Sequence, residues 1–231
     1  MKALLTIDYH THILPGIDDG AKDAHDCLQM LKICKAQGVE RMIATPHFAA
    51  HCETAETFLA RRQEAFDALP DTLGISILPG AEVLVERGLS ENDKLPELTL
   101  AKGKYILLEL PYSPLKEWMV AETCNIMYSR KLIPVFAHVD RYLQWYSNDE
   151  MHRLLSVRGA VLQINNEALC RHDTLKFAVS LIHEGFPVVF GSDTHNTHSR
   201  PPNMEAACKA LRSKLKGDSL SELVEFVNSL I

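Results

Sequence analysis

The sequence predicts one α/β domain in which parallel strands alternate with helices around a barrel. Short β-rich runs alternate with longer stretches of helical periodicity, a pattern typical of repeated βα units. The 231-residue chain has no low-complexity tract and no linker, so residues 1–231 are treated as a single domain. Because 46% of its residues are hydrophobic, the chain can bury the core of a single domain of this length.

Seven βα units are predicted in chain order. The predicted strands span residues 3–8, 41–45, 75–82, 104–109, 133–138, 160–165 and 187–192. The predicted helices span residues 23–37, 55–69, 115–130, 149–157 and 173–184, and two further helices begin near residues 204 and 219. Asp23 is placed to cap the first helix, and Gly38 and Gly185 stand where left-handed turns end helices.

Composition and charge exclude several classes of function. The net charge of -6 argues against non-specific binding to nucleic acid or anionic membranes. The apolar N-terminal run reaches Asp8 and His10 too early for a signal peptide, and no apolar stretch approaches the roughly 20 residues that span a bilayer. We therefore expect a cytoplasmic protein with no nucleic-acid partner and no membrane insertion. The six cysteines form no CxxC pair, which argues against disulfides or a cysteine zinc site.

Metal-type ligands stand at the ends of the predicted strands. In a parallel barrel, the carboxyl ends of the strands meet at one mouth. His10 and His12 are two residues apart, so on an extended chain their side chains project to the same side, and Asp193 and His195 repeat this spacing. The other strand-end candidates are His47, Glu82, Glu109 and His138.

A single histidine at a strand end is more often a hydrogen-bonded polar residue than a metal ligand. Chance is a much poorer explanation for the presence of such residues at the ends of six predicted strands. Glu82 and Glu109 could form strand-end ion pairs, but the apolar run before Glu109 indicates burial, and a buried carboxylate needs a cation. Imidazoles and carboxylates without thiolates suit Mn, Fe, Zn or Mg. We predict two or three divalent metal ions, with Glu82 as the bridging ligand.

Six segments in combination resemble a known family. They are residues 7–20, 44–47, 80–82, 137–141, 191–195 and 200–202. They include Ile-Asp-Tyr-His-Thr-His, Ala-Thr-Pro-His, Gly-Ala-Glu, Ala-His-Val-Asp-Arg and Gly-Ser-Asp-Thr-His, with Arg-Pro-Pro following. This set resembles the PHP-type bacterial protein tyrosine phosphatases of capsular and exopolysaccharide operons, the CpsB/CapC/YwqE family. The resemblance runs from residue 7 to about residue 202.

The resemblance implies a distorted (β/α)7 TIM-like barrel, the PHP fold, with three metal ions of which manganese is the first expectation. It assigns metal-ligand roles to His10, His12, Asp19, His47, Glu82, Glu109, His138, Asp193 and His195. Asp19 enters through the resemblance, because the residues alone indicate a polar turn there. The resemblance also implies phosphate binding by Arg141 and Arg200, and guanidinium groups pair bidentately with phosphate. Phe48 and Asp140 depart from the family's pattern, which often has a basic residue and a glutamate at these positions.

Our mechanistic hypothesis is in-line attack on phosphorus by a metal-bridging hydroxide, without a phosphoenzyme. The resemblance implies a phosphotyrosine protein as the partner, namely the tyrosine-rich tail of a membrane-associated autokinase that controls polysaccharide export. The sequence leaves open whether the protein forms a homo-oligomer. The aromatic segment 142–146 could wall a cleft for a phenyl ring, or pack a long loop.

Three other functions stay open from the sequence. A small-molecule phosphatase of the histidinol-phosphate type shares the fold and the His-x-His opening. A metal-dependent amidohydrolase is a more distant alternative, since no lysine stands at a predicted strand end. A catalytically weak, metal-stabilised regulatory module is the alternative outside enzymes.

Cys124 and Arg130 have the C-x5-R spacing of cysteine-dependent tyrosine phosphatases. That chemistry requires a phosphate-cradling loop at the start of a helix. Residues 125–129 are bulky, lack glycine and lie within a predicted helix, so we interpret the match as accidental.

Overall fold

The computed structural model describes residues 4–231, which form parallel strands alternating with helices. The strands are β1 Ile7–Thr11, β2 Arg41–Ala44, β3 His47–Phe48, β4 Ser76–Pro79, β5 Glu82–Leu84, β6 Tyr105–Glu109, β7 Ile133–Phe136, β8 Val161–Asn165 and β9 Val188–Gly191. The helices are α1 Ala24–Ala36, α2 Ala55–Asp67, α3 Glu117–Arg130, α4 Val139–Tyr142, α5 Asn148–Leu155, α6 His172–His183, α7 Met204–Lys214 and α8 Gly217–Ser229. Four short 3-10 helices are Leu89–Glu91, Leu95–Leu98, Leu100–Lys102 and Asn166–Cys170.

The strands form two parallel sheets that follow one another around the molecule. One has the order β1-β2-β4 and the other the order β3-β5-β6-β7-β8-β9. Residues 80–81 separate β4 from β5, so the predicted strand 75–82 is split in two. Residues 45–46 separate β2 from β3, a short strand that lies beyond the predicted strand 41–45. At both places the chain passes from the first sheet into the second.

Hydrogen bonds bring the chain after β9 back beside β1. The Asp193 N–H donates to the His10 carbonyl at 2.8 Å, and the His12 N–H donates to the Thr194 carbonyl at 3.0 Å. Thr11 and Thr194 form a parallel bridge. The predicted α/β class with parallel strands is confirmed by these two sheets.

The helix ends follow the sequence prediction. The Asp23 side chain accepts a hydrogen bond from the Asp26 N–H at 2.9 Å, which caps α1. Gly38 and Gly185 have φ angles of 84° and 81°, the left-handed conformation that glycine tolerates best. None of the helices in the described residues has the length and apolar character needed to cross a bilayer.

The prediction of the first strand was wrong in its position. The predicted strand 3–8 begins outside the described residues, and β1 spans Ile7–Thr11. Pairing sets this boundary, because Ile7 lies opposite Arg41, the first residue of β2. His10 therefore lies inside β1 rather than after it, and all five residues of β1 are buried.

Candidate metal centre

His10 in β1 and His12, directly after β1, point their Nε2 atoms at each other. His10 and His12 are fully buried, and their Nε2 atoms are 3.1 Å apart. The other ring nitrogen of each is already engaged, since His10 Nδ1 lies 3.0 Å from Gln163 Oε1 and His12 Nδ1 lies 2.7 Å from Asp18 Oδ2. Partners of this kind fix the ring orientation and leave the second nitrogen for a metal.

Glu82, the first residue of β5, lies at the centre of the histidines. Its Oε2 atom is 3.1 Å from His10 Nε2, 3.2 Å from His12 Nε2 and 3.1 Å from His47 Nδ1. Its Oε1 atom is 2.7 Å from His138 Nε2. Burial alone would raise the pKa of Glu82, but the surrounding histidines hold it well below its usual value. Both oxygens of this carboxylate therefore face nitrogen ligands, as a bridging ligand requires.

The remaining predicted ligands lie around this centre. Asp19 Oδ1 is 3.3 Å from His195 Nε2 and 3.4 Å from His47 Nε2. Glu109 Oε1, at the end of β6, is 3.5 Å from His138 Nε2. The structure thus brings all nine predicted ligands together, and we call them the histidine–carboxylate cluster.

Asp193 joins the cluster to the two predicted arginines. Its Oδ1 atom is 3.4 Å from His12 Nε2, and its Oδ2 atom contacts Arg141 Nη2 and lies 2.6 Å from Arg200 Nη2. The Asn165 side-chain amide donates to the same Oδ2 atom at 3.1 Å. One carboxylate therefore holds both guanidinium groups beside the cluster.

Two glycines let the backbone come close to His10 and His12. A Cβ atom on Gly191 would lie 2.4 Å from His10 Cβ, and a Cβ atom on Gly20 would lie 2.2 Å from the His12 carbonyl oxygen. Both separations are shorter than carbon and oxygen atoms tolerate. A side chain at either position would displace a histidine of the cluster.

Two residues of the cluster have left-handed backbones. His138 has φ 31° and Asp193 has φ 51°, a region that residues other than glycine seldom occupy. Such conformations persist where the surrounding structure enforces them, and they concentrate at functional sites. In the case of Asp193, the enforcing contacts are its hydrogen bond to the His10 carbonyl and its contacts with Arg141 and Arg200.

The charges of the histidines differ across the cluster. Burial would lower the pKa of His12, but the neighbouring carboxylates of Asp18, Asp193 and Glu82 raise it well above 6.5. Burial, together with the positive charges of His12 and Arg200, lowers the pKa of His195 to about 4. His195 is therefore neutral at pH 7, and a neutral imidazole has the lone pair that a metal requires.

The cluster fits divalent metal ions. Asp193 Oδ1 and His195 Nε2 are buried and accept or donate no hydrogen bond within residues 4–231. Each of three overlapping groups offers ligand atoms that lie within 4.8 Å of one another. The groups are His12, Asp19, His47 and His195; His10, His12 and Glu82; and His47, Glu82 and Glu109. Imidazole nitrogens and carboxylate oxygens at this density are the donor set of Mn, Fe and Zn sites.

A cavity of about 550 Å³ adjoins the cluster, and we call it the arginine cavity. Its lining includes Tyr112, Asp140, Arg141, Gln144, Trp145, Asn165, Glu167, Ala168, Arg171, Thr174 and Arg200. Trp145 is 48% exposed, whereas Tyr142 and Tyr146 are buried and stack on each other with ring centroids 5.0 Å apart. In the aromatic segment 142–146, the two tyrosines therefore pack in the interior and Trp145 forms part of the cavity wall.

Several residues of the site were missed in the sequence. Asp18 orients His12, and Gln163 Oε1 contacts His10 and accepts from the His138 N–H at 2.6 Å. Gln163 stands in the interior of β8, where no polar pattern marks it. Asp18 could have been found, because it lies beside Asp19 in a loop that the resemblance already placed at the site.

The two departures from the family's pattern have structural roles. Phe48 is buried and packs against Phe58, with ring centroids 5.2 Å apart. Asp140 accepts a hydrogen bond from the Asn165 N–H at 2.9 Å, and burial raises its pKa. Asp140 also lies at the arginine cavity, whereas Phe48 is turned into the core.

The fold and the site together are those of a barrel protein with a dense histidine and carboxylate cluster at its strand ends. The family model for capsular polysaccharide synthesis, CpsB/CapC, matches residues 6–229. The chain belongs to the CpsB/CapC family.

Named relatives agree with this assignment. The chain is 30% identical to tyrosine-protein phosphatase YwqE of Bacillus subtilis, over 97% of this chain and 91% of that protein. It is 29% identical to tyrosine-protein phosphatase CpsB of Streptococcus pneumoniae, over 94% of each chain.

Solved structures show the same fold. The crystal structures of YwqE from Bacillus subtilis and CpsB from Streptococcus pneumoniae are described as unique metal-dependent tyrosine phosphatases. The match has a TM-score of 0.73 and 25% identity, and it covers 96% of this chain and 93% of the other. A lactonase from Listeria monocytogenes matches with a TM-score of 0.51 and 14% identity over 98% and 93% of the two chains, which shows a shared fold alone.

Proposed function

We propose that this protein is a metal-dependent protein-tyrosine phosphatase of capsular polysaccharide synthesis. The observation that carries the proposal is the buried Glu82 carboxylate, which touches four histidines of the cluster. The arginine cavity adjoins it with Arg141 and Arg200 in its wall. Relatives of the chain are named tyrosine-protein phosphatases, and the family is described by capsular polysaccharide synthesis.

The nine residues of the histidine–carboxylate cluster are proposed to hold two or three divalent ions, with manganese first and iron, zinc or magnesium as the other candidates. The overlap of the three ligand groups supports more than one ion, because nine ligands exceed the needs of a single ion. When bound, such ions lower the pKa of a shared water and neutralise charge on the phosphoryl oxygens.

Arg141 and Arg200 are proposed to bind the phosphoryl group. Asp193 contacts one Nη atom of each guanidinium group, and both arginines line the cavity. Burial would lower the pKa of Arg141, but the Asp193 carboxylate raises it, so the side chain stays charged. Each guanidinium group can pair bidentately with two oxygens of a phosphate. Two such groups in fixed positions would hold the phosphorus atom beside the cluster.

Trp145 and Tyr112 support an aryl substrate. Their ring centroids are 6.2 Å apart, and Tyr112 stacks on His138 with centroids 5.9 Å apart. Tyr112 also accepts a hydrogen bond from Arg141 Nη1 at 3.2 Å. A tyrosyl ring whose phosphate sits on the arginines would meet these two aromatic faces, whereas a serine side chain would not reach them. A phenolate leaving group, with a pKa near 10, needs less acid assistance than an alkoxide.

The partner is proposed to be a phosphotyrosine protein, and specifically the tyrosine-rich tail of a polysaccharide-export autokinase. The cavity supports a peptide because the half-exposed Trp145 leaves its wall open to solvent. An extended tail could present a tyrosine to this opening without unfolding a domain.

The test is a comparison of three substrates with the manganese-loaded protein: a phosphotyrosine peptide, a phosphoserine peptide of the same sequence, and histidinol phosphate. We expect kcat/KM to be highest for the phosphotyrosine peptide. The small-molecule alternative requires histidinol phosphate to be preferred, and the regulatory-module alternative requires no turnover of any of the three. The measured metal content of the same preparation reports separately on the cluster.

A further inference from the structure

A second group of reactive side chains lies outside the metal centre, on the loops that follow β3 and β5. It consists of Cys52, His51 and Glu86. His51 and Cys52 lie between β3 and α2, and Glu86 follows β5. His51 is four positions after His47 and Glu86 four positions after Glu82, so neither belongs to the histidine–carboxylate cluster.

Glu86 fixes the orientation of the His51 ring. One carboxylate oxygen lies 2.7 Å from His51 Nδ1, and the other accepts a hydrogen bond from the His51 backbone N–H at 3.2 Å. A carboxylate at Nδ1 selects the tautomer in which Nδ1 carries the proton. The lone pair of the neutral ring is therefore on Nε2.

His51 Nε2 lies 3.2 Å from the Cys52 sulfur. The thiol can donate its proton to this nitrogen, and the resulting imidazolium is paired with the Glu86 carboxylate. A thiol beside a base that is in turn oriented by a third group is the arrangement that activates a nucleophile. Cys52 is exposed, so reagents can reach the sulfur.

Four of the five other cysteines lack this combination. Cys27, Cys34 and Cys208 are buried, and burial raises the pKa of each thiol. Cys170 is exposed, but its sulfur contacts the Asn166 carbonyl oxygen at 3.9 Å, which is not a base, and burial of part of the side chain raises its pKa. Cys170 therefore serves as an internal reference for exposure without activation.

We propose that Cys52 is a reactive thiol that forms mixed disulfides with low-molecular-weight disulfides. The Cys52 sulfur gives its proton to His51 Nε2 and attacks one sulfur of the disulfide. The sulfur–sulfur bond breaks, and the departing sulfur takes the proton from His51 and leaves as a free thiol. Cys52 is oxidised to a mixed disulfide, and the small disulfide is reduced.

The test uses the full-length, metal-loaded protein and dithiodipyridine as the small disulfide. Labelling is followed over time near neutral pH, and peptide mass spectrometry assigns each adduct to its cysteine. We expect Cys52 to be labelled about tenfold faster than Cys170, since its thiol has a paired base. Equal rates at Cys52 and Cys170 would overturn the proposal.

Two variants test the role of the neighbouring residues. His51→Ala and Glu86→Ala are each expected to slow Cys52 labelling about tenfold, because the base or its orienting partner is removed. Cys170 labelling should not change in either variant. An unchanged Cys52 rate in both variants would refute the proposal even if Cys52 were the fastest site. Protection of the buried Cys27, Cys34 and Cys208 in the same spectra shows that each variant is folded.

Discussion

The histidine–carboxylate cluster and the wall of the arginine cavity are neighbours with opposite construction. The central residues of the cluster, Glu82 in β5 and His10 in β1, are 1% and 0% exposed. The cavity wall is built largely from helices and loops, and Trp145 in it is 48% exposed. Asp193 belongs to the cluster and also holds the cavity's arginines. Under the proposed function, the central groups of the cluster act from a buried position, whereas the substrate is selected at a more open surface.

The largest effect is expected from Glu82→Gln, which removes the charge at the centre of the cluster. Turnover should fall on the order of a thousandfold, since the buried charge that balances four histidines is lost. Metal content should fall with it. The measurements are kcat and elemental analysis of the purified variant, with the exposed Glu64→Gln as the matched control. Full activity in Glu82→Gln would contradict the assignment of the cluster as the reaction centre.

The next largest effect is expected from Asp18→Asn. Asp18 contacts His12 but is not one of the nine residues of the histidine–carboxylate cluster. Loss of this orienting carboxylate should weaken metal affinity about 10- to 100-fold. Titration of the apoprotein with manganese measures the affinity directly. An activity deficit that saturating manganese restores would sharpen the comparison, because it would place the effect in the cluster and leave the cavity intact.

A smaller and selective effect is expected from Trp145→Ala in the cavity wall. For a phosphotyrosine peptide kcat/KM should fall about threefold to tenfold, the worth of one aromatic contact. The slow turnover of the matched phosphoserine peptide and the metal content should stay unchanged. Equal losses of kcat/KM for both peptides would mean that Trp145 supports the fold and does not contact the tyrosyl ring of the substrate.

No effect is expected from Cys124→Ser. Cys124 lies within α3, Glu117–Arg130, away from the cluster and the arginine cavity. Arg130, the arginine of the C-x5-R match, has a structural role, since it donates hydrogen bonds to Asp93 and to the Ser90 carbonyl. Turnover should equal that of the unmodified protein. Loss of turnover in a folded variant would replace the metal mechanism with a cysteine mechanism.

The sequence predicted the cluster well because metal-type residues have distinctive spacing. The two-residue spacing of His10 and His12 could be recognised without a structure, and so could the repeat of that spacing at Asp193 and His195. The helices were placed to within a few residues because their caps are local features, as at Asp23.

The supporting contacts could not be predicted from the sequence in the same way. Gln163 is 153 residues from His10 along the chain, and only folding brings them together. The bounds of β1 depend on its register with β2, and the separation of β2 from β3 and of β4 from β5 depends on the passage of the chain from one sheet to the other. Such long-range relations leave no periodic pattern in a single sequence.

The closeness of Gly191 to His10 and of Gly20 to His12 has a consequence for sequence variation. Neither glycine offers a side chain to substrate or metal, yet an added methyl group at either site would have to occupy space held by His10 or His12. The tolerance of these two positions to replacement should therefore resemble that of a ligand. In a saturation mutagenesis screen scored by turnover, both would be classed with the chemical machinery although they take no part in it.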